Sequence, residues 1–179
     1  MIAKRLAVLL VGAGLLAAGC RPSTPEANAS PSTDRVATQI LKDFEMNDVK
    51  NTVTTMTLHS VEARIYDSQQ YADVDKPVLL FYKRGRVSSR LDAPQGRVQM
   101  QTHEVEAWGG VTVVSSDSST LTTEKLRYDP KVGKIFSKDA VKIEKPDSIT
   151  QGIGLETDPE LQTVKIGHQK VRFKKGMAH

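Results

Sequence analysis

Cysteine is almost absent from this chain. Cys20 is the only one in 179 residues, so neither a disulfide framework nor a thiolate metal site can be built. Histidine is scarce as well: His59, His103, His168 and His179 show no HxH, HxxxH or HExxH spacing, and each reads as a surface residue on or beside a strand. Aromatic residues make up 5% of the sequence, which leaves no stacking platform, and no helix-turn-helix pattern is present. Charge of one sign is not in excess either. The formal net charge is +4, and +2 once Lys4 and Arg5 are set aside, too small for a nucleic-acid footprint. The local run Lys83-Arg84-Gly85-Arg86, with Arg90 and Arg97 nearby, offers cations to a phosphate, but reads better as a solvated hairpin tip.

Catalytic constellations are also missing. Catalysis needs a nucleophile, a base and an orienting group, or a metal cluster, brought together. Ser115, Ser116, Ser118 and Ser119 form a polar loop around Asp117, with no glycine framing of the kind that sets a serine on a sharp turn before a helix. Gly152-Ile153-Gly154 lacks the third glycine and the following helix of a dinucleotide loop. Glu104, Glu106, Glu124 and Asp129 are scattered acids with nothing to pair them. No catalytic residue, metal site or cofactor is expected.

What the sequence does have is a repeat. Leu91, Val98, Val105, Val111 and Val113 return thirty positions later as Leu121, Tyr128, Ile135, Val141 and Ile143. Leu126, Asp129, Pro130 and Ile135 return at an offset of 29 as Leu155, Asp158, Pro159 and Val164, and Ile143 returns at 30 as Phe173. A fainter copy, Leu58, Ile65, Val78 and Leu80, lies 33 before Leu91, Val98, Val111 and Val113. A fixed period of this size means one supersecondary unit stacked several times, each copy burying its neighbour's apolar face.

Each copy reads as short strands. Val111-Thr112-Val113, Val141-Lys142-Ile143 and Val171-Arg172-Phe173 alternate apolar with polar, which sends successive side chains to opposite faces of a sheet. Val98-Gln99-Met100 and Val78-Leu79-Leu80-Phe81-Tyr82 are further strand segments. Turns are signalled by Gly109-Gly110, by Asp129-Pro130 with Gly133, by Lys145-Pro146-Asp147 and by Asp158-Pro159. Val36, Ile40, Leu41 and Phe44 have helical spacing with Asp34 as a cap, yet Phe44 and Met46 alternate, and a strand over about 41–47 is expected. The class is all-β: a sandwich, jelly roll or open β roll.

The start of the chain is a different kind of segment. Lys4 and Arg5, the apolar run Leu6 to Leu16 and the small residues Ala17-Ala18-Gly19 before Cys20 form a lipoprotein signal, residues 1–19. Cys20 is then the lipidated mature N-terminus, although Ala17 stands where leucine is commoner. An uncleaved anchor is the competing reading, but the run is short for a bilayer core of roughly 30 Å. Two or more acyl chains give stable anchoring. Pro22, Pro25 and Pro31 among Ser, Thr and Ala make residues 20–37 a tether, followed by one domain over 38–174 and a short tail, 175–179.

The order and spacing of several segments closely resemble the LptC family. They are Leu121-Thr122-Thr123-Glu124-Lys125-Leu126-Arg127-Tyr128-Asp129-Pro130, Gly133-Lys134-Ile135-Phe136-Ser137, Val141-Lys142-Ile143 and Gly152-Ile153-Gly154-Leu155-Glu156-Thr157-Asp158. Phe44, Ala63, Tyr66 and Leu91-Asp92-Ala93-Pro94-Gln95-Gly96 fit too, and OstA/LptA bridge proteins share the unit. The resemblance implies an open, twisted β jelly roll of two facing antiparallel sheets. It implies a non-enzymatic periplasmic module that takes lipopolysaccharide acyl chains into an apolar groove and passes them along an edge-to-edge bridge. The implied partners are lipopolysaccharide, an LptB/F/G-like inner-membrane ABC transporter and an LptA-like bridge protein. One departure is the lipobox, where the best-known members carry a transmembrane helix. Arg21 after Cys20 is not the aspartate associated with inner-membrane retention, so either membrane can receive the anchor, the inner being favoured.

In-phase positions across the repeats are the groove candidates: Ile65, Val78, Leu80, Leu91, Val98, Met100, Val111, Val113, Leu121, Tyr128, Val141 and Ile143. The last repeat supplies an edge strand with Lys165, Lys170, Val171, Arg172 and Phe173, and no sequence follows to cover it. Lysines there blunt self-pairing while leaving the backbone open to a partner strand. The alternative function is a structural envelope lipoprotein with a filled core, since normal packing density leaves no room for acyl chains.

Overall fold

A strand that alternates valine with lysine or threonine has one face for a core and one for water, and that alternation decides which side of each strand is inside. The computed structural model describes residues 36–173; the leader, Cys20, the tether up to residue 35, and the tail from Lys174 lie outside the described residues. Eleven strands run in chain order as β1 (Gln39–Lys50), β2 (Val53–Tyr66), β3 (Tyr71–Asp75), β4 (Val78–Lys83), β5 (Arg86–Asp92) and β6 (Gln95–Gln99). Then follow β7 (Val105–Ser115), β8 (Thr120–Asp129), β9 (Lys134–Glu144), β10 (Ser148–Thr157) and β11 (Val164–Phe173). Every pairing is antiparallel. The only helical turn among the described residues is the 3₁₀ segment Asp67–Gln69.

The two expected sheets are the two halves of one hydrogen-bonded sheet. β7 pairs β6 through Val105–Trp108 and β5 through Thr112–Ser115. β2 likewise pairs β4 through Met56–His59 and β3 through Glu62–Tyr66. The long strands therefore cross a crease, with β3 and β6 in one half and β4 and β5 in the other. Register breaks mark the crease at Trp108/Val111 on β7, Thr123/Arg127 on β8 and Ile153/Leu155 on β10. Gly109 and Gly110, with φ of +88° and +92°, make the β7 bend that a residue with a Cβ would resist. The pair predicted as a turn is thus a bulge inside one continuous strand.

The repeat has a simple structural meaning. Two strands and their turns use about thirty residues, so position i+30 falls two strands further along on the same face. One interior row runs Met46, Leu58, Leu79, Leu91, Val113, Leu121, Ile143, Thr150 and Val171. In the other half the row is Ile65, Ala72, Val98, Val105, Tyr128, Ile135, Thr157 and Val164. Most members are fully buried. Each fully buried Leu or Val contributes roughly 1.5–3 kcal/mol relative to exposure.

The faint upstream copy misleads at β4. Leu79 and Phe81 are the inward residues there, paired with Leu91 and Met56, while Val78 and Leu80 lie on the outer face opposite Asp92 and Arg90. Five apolar residues in succession carry no alternation, and one residue of slip changes every side chain's face. Met100 is also displaced, lying in the turn after β6, where its N–H donates to Gln70 O at 2.9 Å. The segment with helical spacing is β1, a strand as expected and longer than 41–47.

The outer face of the β3–β6 half is charged and paired. Arg97 bonds Asp73 at 2.7 Å, Arg64 bonds Asp75 at 3.0 Å, and Lys125 meets Glu106 at 2.7 Å. Lys134 and then Lys165 hold the Glu156 carboxyl below the usual carboxylate range. Exposed pairs of this kind add little stability each. Their effect is to favour this strand register over its neighbours.

Candidate functional site

Nine of the twelve groove positions converge on the space between the two halves: Ile65, Leu91, Val98, Val111, Val113, Leu121, Tyr128, Val141 and Ile143. Val78, Leu80 and Met100 do not, for the reasons given above. The interior is closed. Leu58, Leu79, Leu91, Val113 and Leu121 have no exposed surface, and Phe81 from one half meets Tyr128 from the other edge-on, with ring centroids 4.8 Å apart. Burial, aided by the nearby carboxylates of Asp48, Asp129 and Glu160, pushes the Tyr128 phenol up to about 12.

Opposite the crease the halves meet again along a seam, and polar contacts span it. His103 Nδ1 lies 3.1 Å from Asp48 Oδ1, joining the β6–β7 turn to β1. Lys50 Nζ donates to Pro130 O in the β8–β9 turn. The β10–β11 loop reaches across with Glu160, whose carboxylate sits 3.0 Å from Ser88 Oγ and 3.3 Å from Lys83 Nζ. That loop is wound tightly. Asp158 accepts from the N–H groups of Gln162 and Thr163, and Leu161, at φ +57°, is fully buried as a plug in the core. Leu161 and the seam contacts were invisible to sequence reasoning, because a lone leucine after a turn signal carries no period.

Among the described residues nothing covers the interior rows where they end. On β11 they emerge as Val164, Ile166, Val171 and Phe173, and the last two are 47% and 80% exposed. Among the described residues β11 pairs only with β10. Its Lys165 reaches Glu156, while Lys170 and Arg172 stand exposed opposite Gln151 and Ile149. The opposite edge, β1, pairs only with β2 among the described residues and leaves Ile40, Leu41 and Val49 exposed. Among the described residues there is no cluster of side chains fit to hold a metal, and no helix long and apolar enough to cross a membrane.

Comparison with known proteins gives a consistent answer. A family model described as "Lipopolysaccharide-assembly, LptC-related" matches residues 6–172. Among solved structures, the fold is similar to that of LptH, the LptA homologous periplasmic component of the conserved lipopolysaccharide transport device from Pseudomonas aeruginosa. The TM-score is 0.51 at 14% identity, over 63% of this chain and 82% of that one. No curated protein matches the sequence. With bent β roll, interior rows and family match together, the chain belongs to the LptC-related family of lipopolysaccharide-assembly proteins.

Proposed function

We propose that this chain is a periplasmic lipopolysaccharide-transfer module without chemistry of its own. It takes acyl chains between its two half-sheets and hands them to the next roll toward the outer membrane. The observation that carries this reading is the pair of interior rows, one from Met46 on β1 to Val171 on β11 and the other from Ile65 on β2 to Val164 on β11, the first emerging at the exposed Val171 with Phe173 beside it. An LptA-like strand added to β11 would prolong both rows, with hydrogen bonds supplying affinity and side-chain pockets supplying specificity. The β1 edge would face an LptB/F/G-like transporter.

The closed core favours a second reading, a structural envelope lipoprotein with a filled interior. In the transfer reading the seam must part to admit a chain. A photo-crosslinker at Val113 or Tyr128 should capture lipopolysaccharide, while one at Thr112 or Arg127, on the outer face, should not. Equal capture from both faces, or none from either, would leave the filled scaffold as the better account.

Cys20 is the proposed anchor, with the inner membrane the favoured site. Metabolic labelling with a fatty acid should mark the wild-type chain and spare Cys20→Ser. Equal incorporation into both would remove the lipid anchor from the picture.

A further inference from the structure

Seven arginines lie among the described residues, and four are held by carboxylates: Arg64 by Asp75, Arg90 by Asp92, Arg97 by Asp73, and Arg127 by Glu104. Arg84 and Arg86, at the β4–β5 tip, have no partner among the described residues. They stand with Lys83 on the wall of a cleft of about 780 Å³. Only one carboxylate lines that cleft, Glu160, and it is engaged with Lys83 and Ser88. The turn itself is built at some cost. Arg84 and Gly85 both have positive φ, +53° and +73°, the two-residue hairpin geometry that favours Asn-Gly over Arg-Gly. An arginine placed there against its backbone preference keeps a cation at the cleft mouth.

We propose that this cleft is a phosphomonoester site. In the transfer reading, on which this rests, its occupant is the phosphate on the headgroup of the lipid whose chains enter the roll. Arg84 and Arg86 donate guanidinium hydrogen bonds to the phosphate oxygens, in the fork geometry that suits them. The phosphate also competes with Glu160 for Lys83. Glu160 belongs to the loop that spans the seam and plants Leu161 in the core, so a bound headgroup loosens the plug where the acyl chains must pass. Recognition of the head is thereby coupled to admission of the tail.

The test uses the full chain in non-ionic detergent, with bisphosphorylated lipid A, its fully dephosphorylated form, and inorganic phosphate as competitor. Wild type should hold the bisphosphorylated form roughly tenfold more tightly, each cation near the anionic group contributing severalfold. Arg84→Ala/Arg86→Ala should abolish that preference and keep the affinity for the dephosphorylated form. Lys138→Ala, which removes an exposed cation on β9 that does not line the cleft, should leave the preference intact. Glu160→Gln should raise affinity for the bisphosphorylated form a few-fold by releasing Lys83. Equal binding of the two lipid forms by wild type, or a preference that survives in the double variant, overturns the site and leaves the transfer reading standing. Competition by inorganic phosphate without any preference between the lipid forms overturns the headgroup assignment. Failure of wild type to bind either form overturns the transfer reading itself.

Discussion

Leu121→Ala should destabilise the roll by about 3 kcal/mol, seen as a fall of roughly 10 °C in Tm. Leu121 has no exposed surface and sits in register between Val113 and Ile143, both buried, near the middle of its interior row. Its neighbours are β-branched and stiff, so they cannot lean into the space left behind, and the loss includes a cavity term beyond the transfer free energy. Thr122→Ala, one residue along and on the outer face, should change stability by less than about 0.5 kcal/mol. A Tm drop of only a degree or two for Leu121→Ala would mean that the interior is spacious in solution. The large drop expected from the packing would mean that any acyl chain has to displace side-chain contacts as it enters.

The second large effect concerns the β11 edge, where the choice of residue decides the outcome. Lys145 N–H donates to Ser148 O at 2.8 Å, so residues 148 and 150 direct their backbone groups at β9, and residues 149 and 151 direct theirs at β11. Arg172 and Lys170, opposite Ile149 and Gln151, therefore turn their N–H groups toward β10, and Val171 turns its own outward. Val171→Pro removes a donor from the free edge and sets a ring where a partner backbone would lie. It should weaken strand capture by about a hundredfold, with thermal unfolding unchanged. Arg172→Pro should instead break the β10–β11 ladder and expose β11 to proteolysis. Wild-type partner affinity in Val171→Pro, with the fold intact, would move the docking edge elsewhere.

The contrast between these positions shows what a sequence can and cannot carry. The thirty-residue spacing of Leu91 and Leu121, or of Val98 and Tyr128, records a register, and the structure places each pair on one row. The turns at Asp129-Pro130, Lys145-Pro146-Asp147 and Asp158-Pro159 were likewise legible, because local chemistry fixes local backbone. β4 was not, since Val78 to Tyr82 is apolar throughout and only its neighbours set its phase. Gly109-Gly110 announced a change of direction without saying whether the strand ended or bent. The seam was wholly hidden: Asp48 and His103 are 55 residues apart, Ser88 and Glu160 are 72 apart, and only folding makes them adjacent.

The rows also make length a separate variable from edge chemistry. Leu121 and Thr150 stand at equivalent places, as do Leu126 and Leu155, and Tyr128 and Thr157. Excising residues 121–149 would join Thr120 to Thr150 with every later side chain still on its own face. The roll would lose two strand spacings, about 10 Å, and present the same β1 and β11 at its ends. A chain assembled this way changes its length in steps of two strands, so its span can vary while the strands at its two ends stay the same.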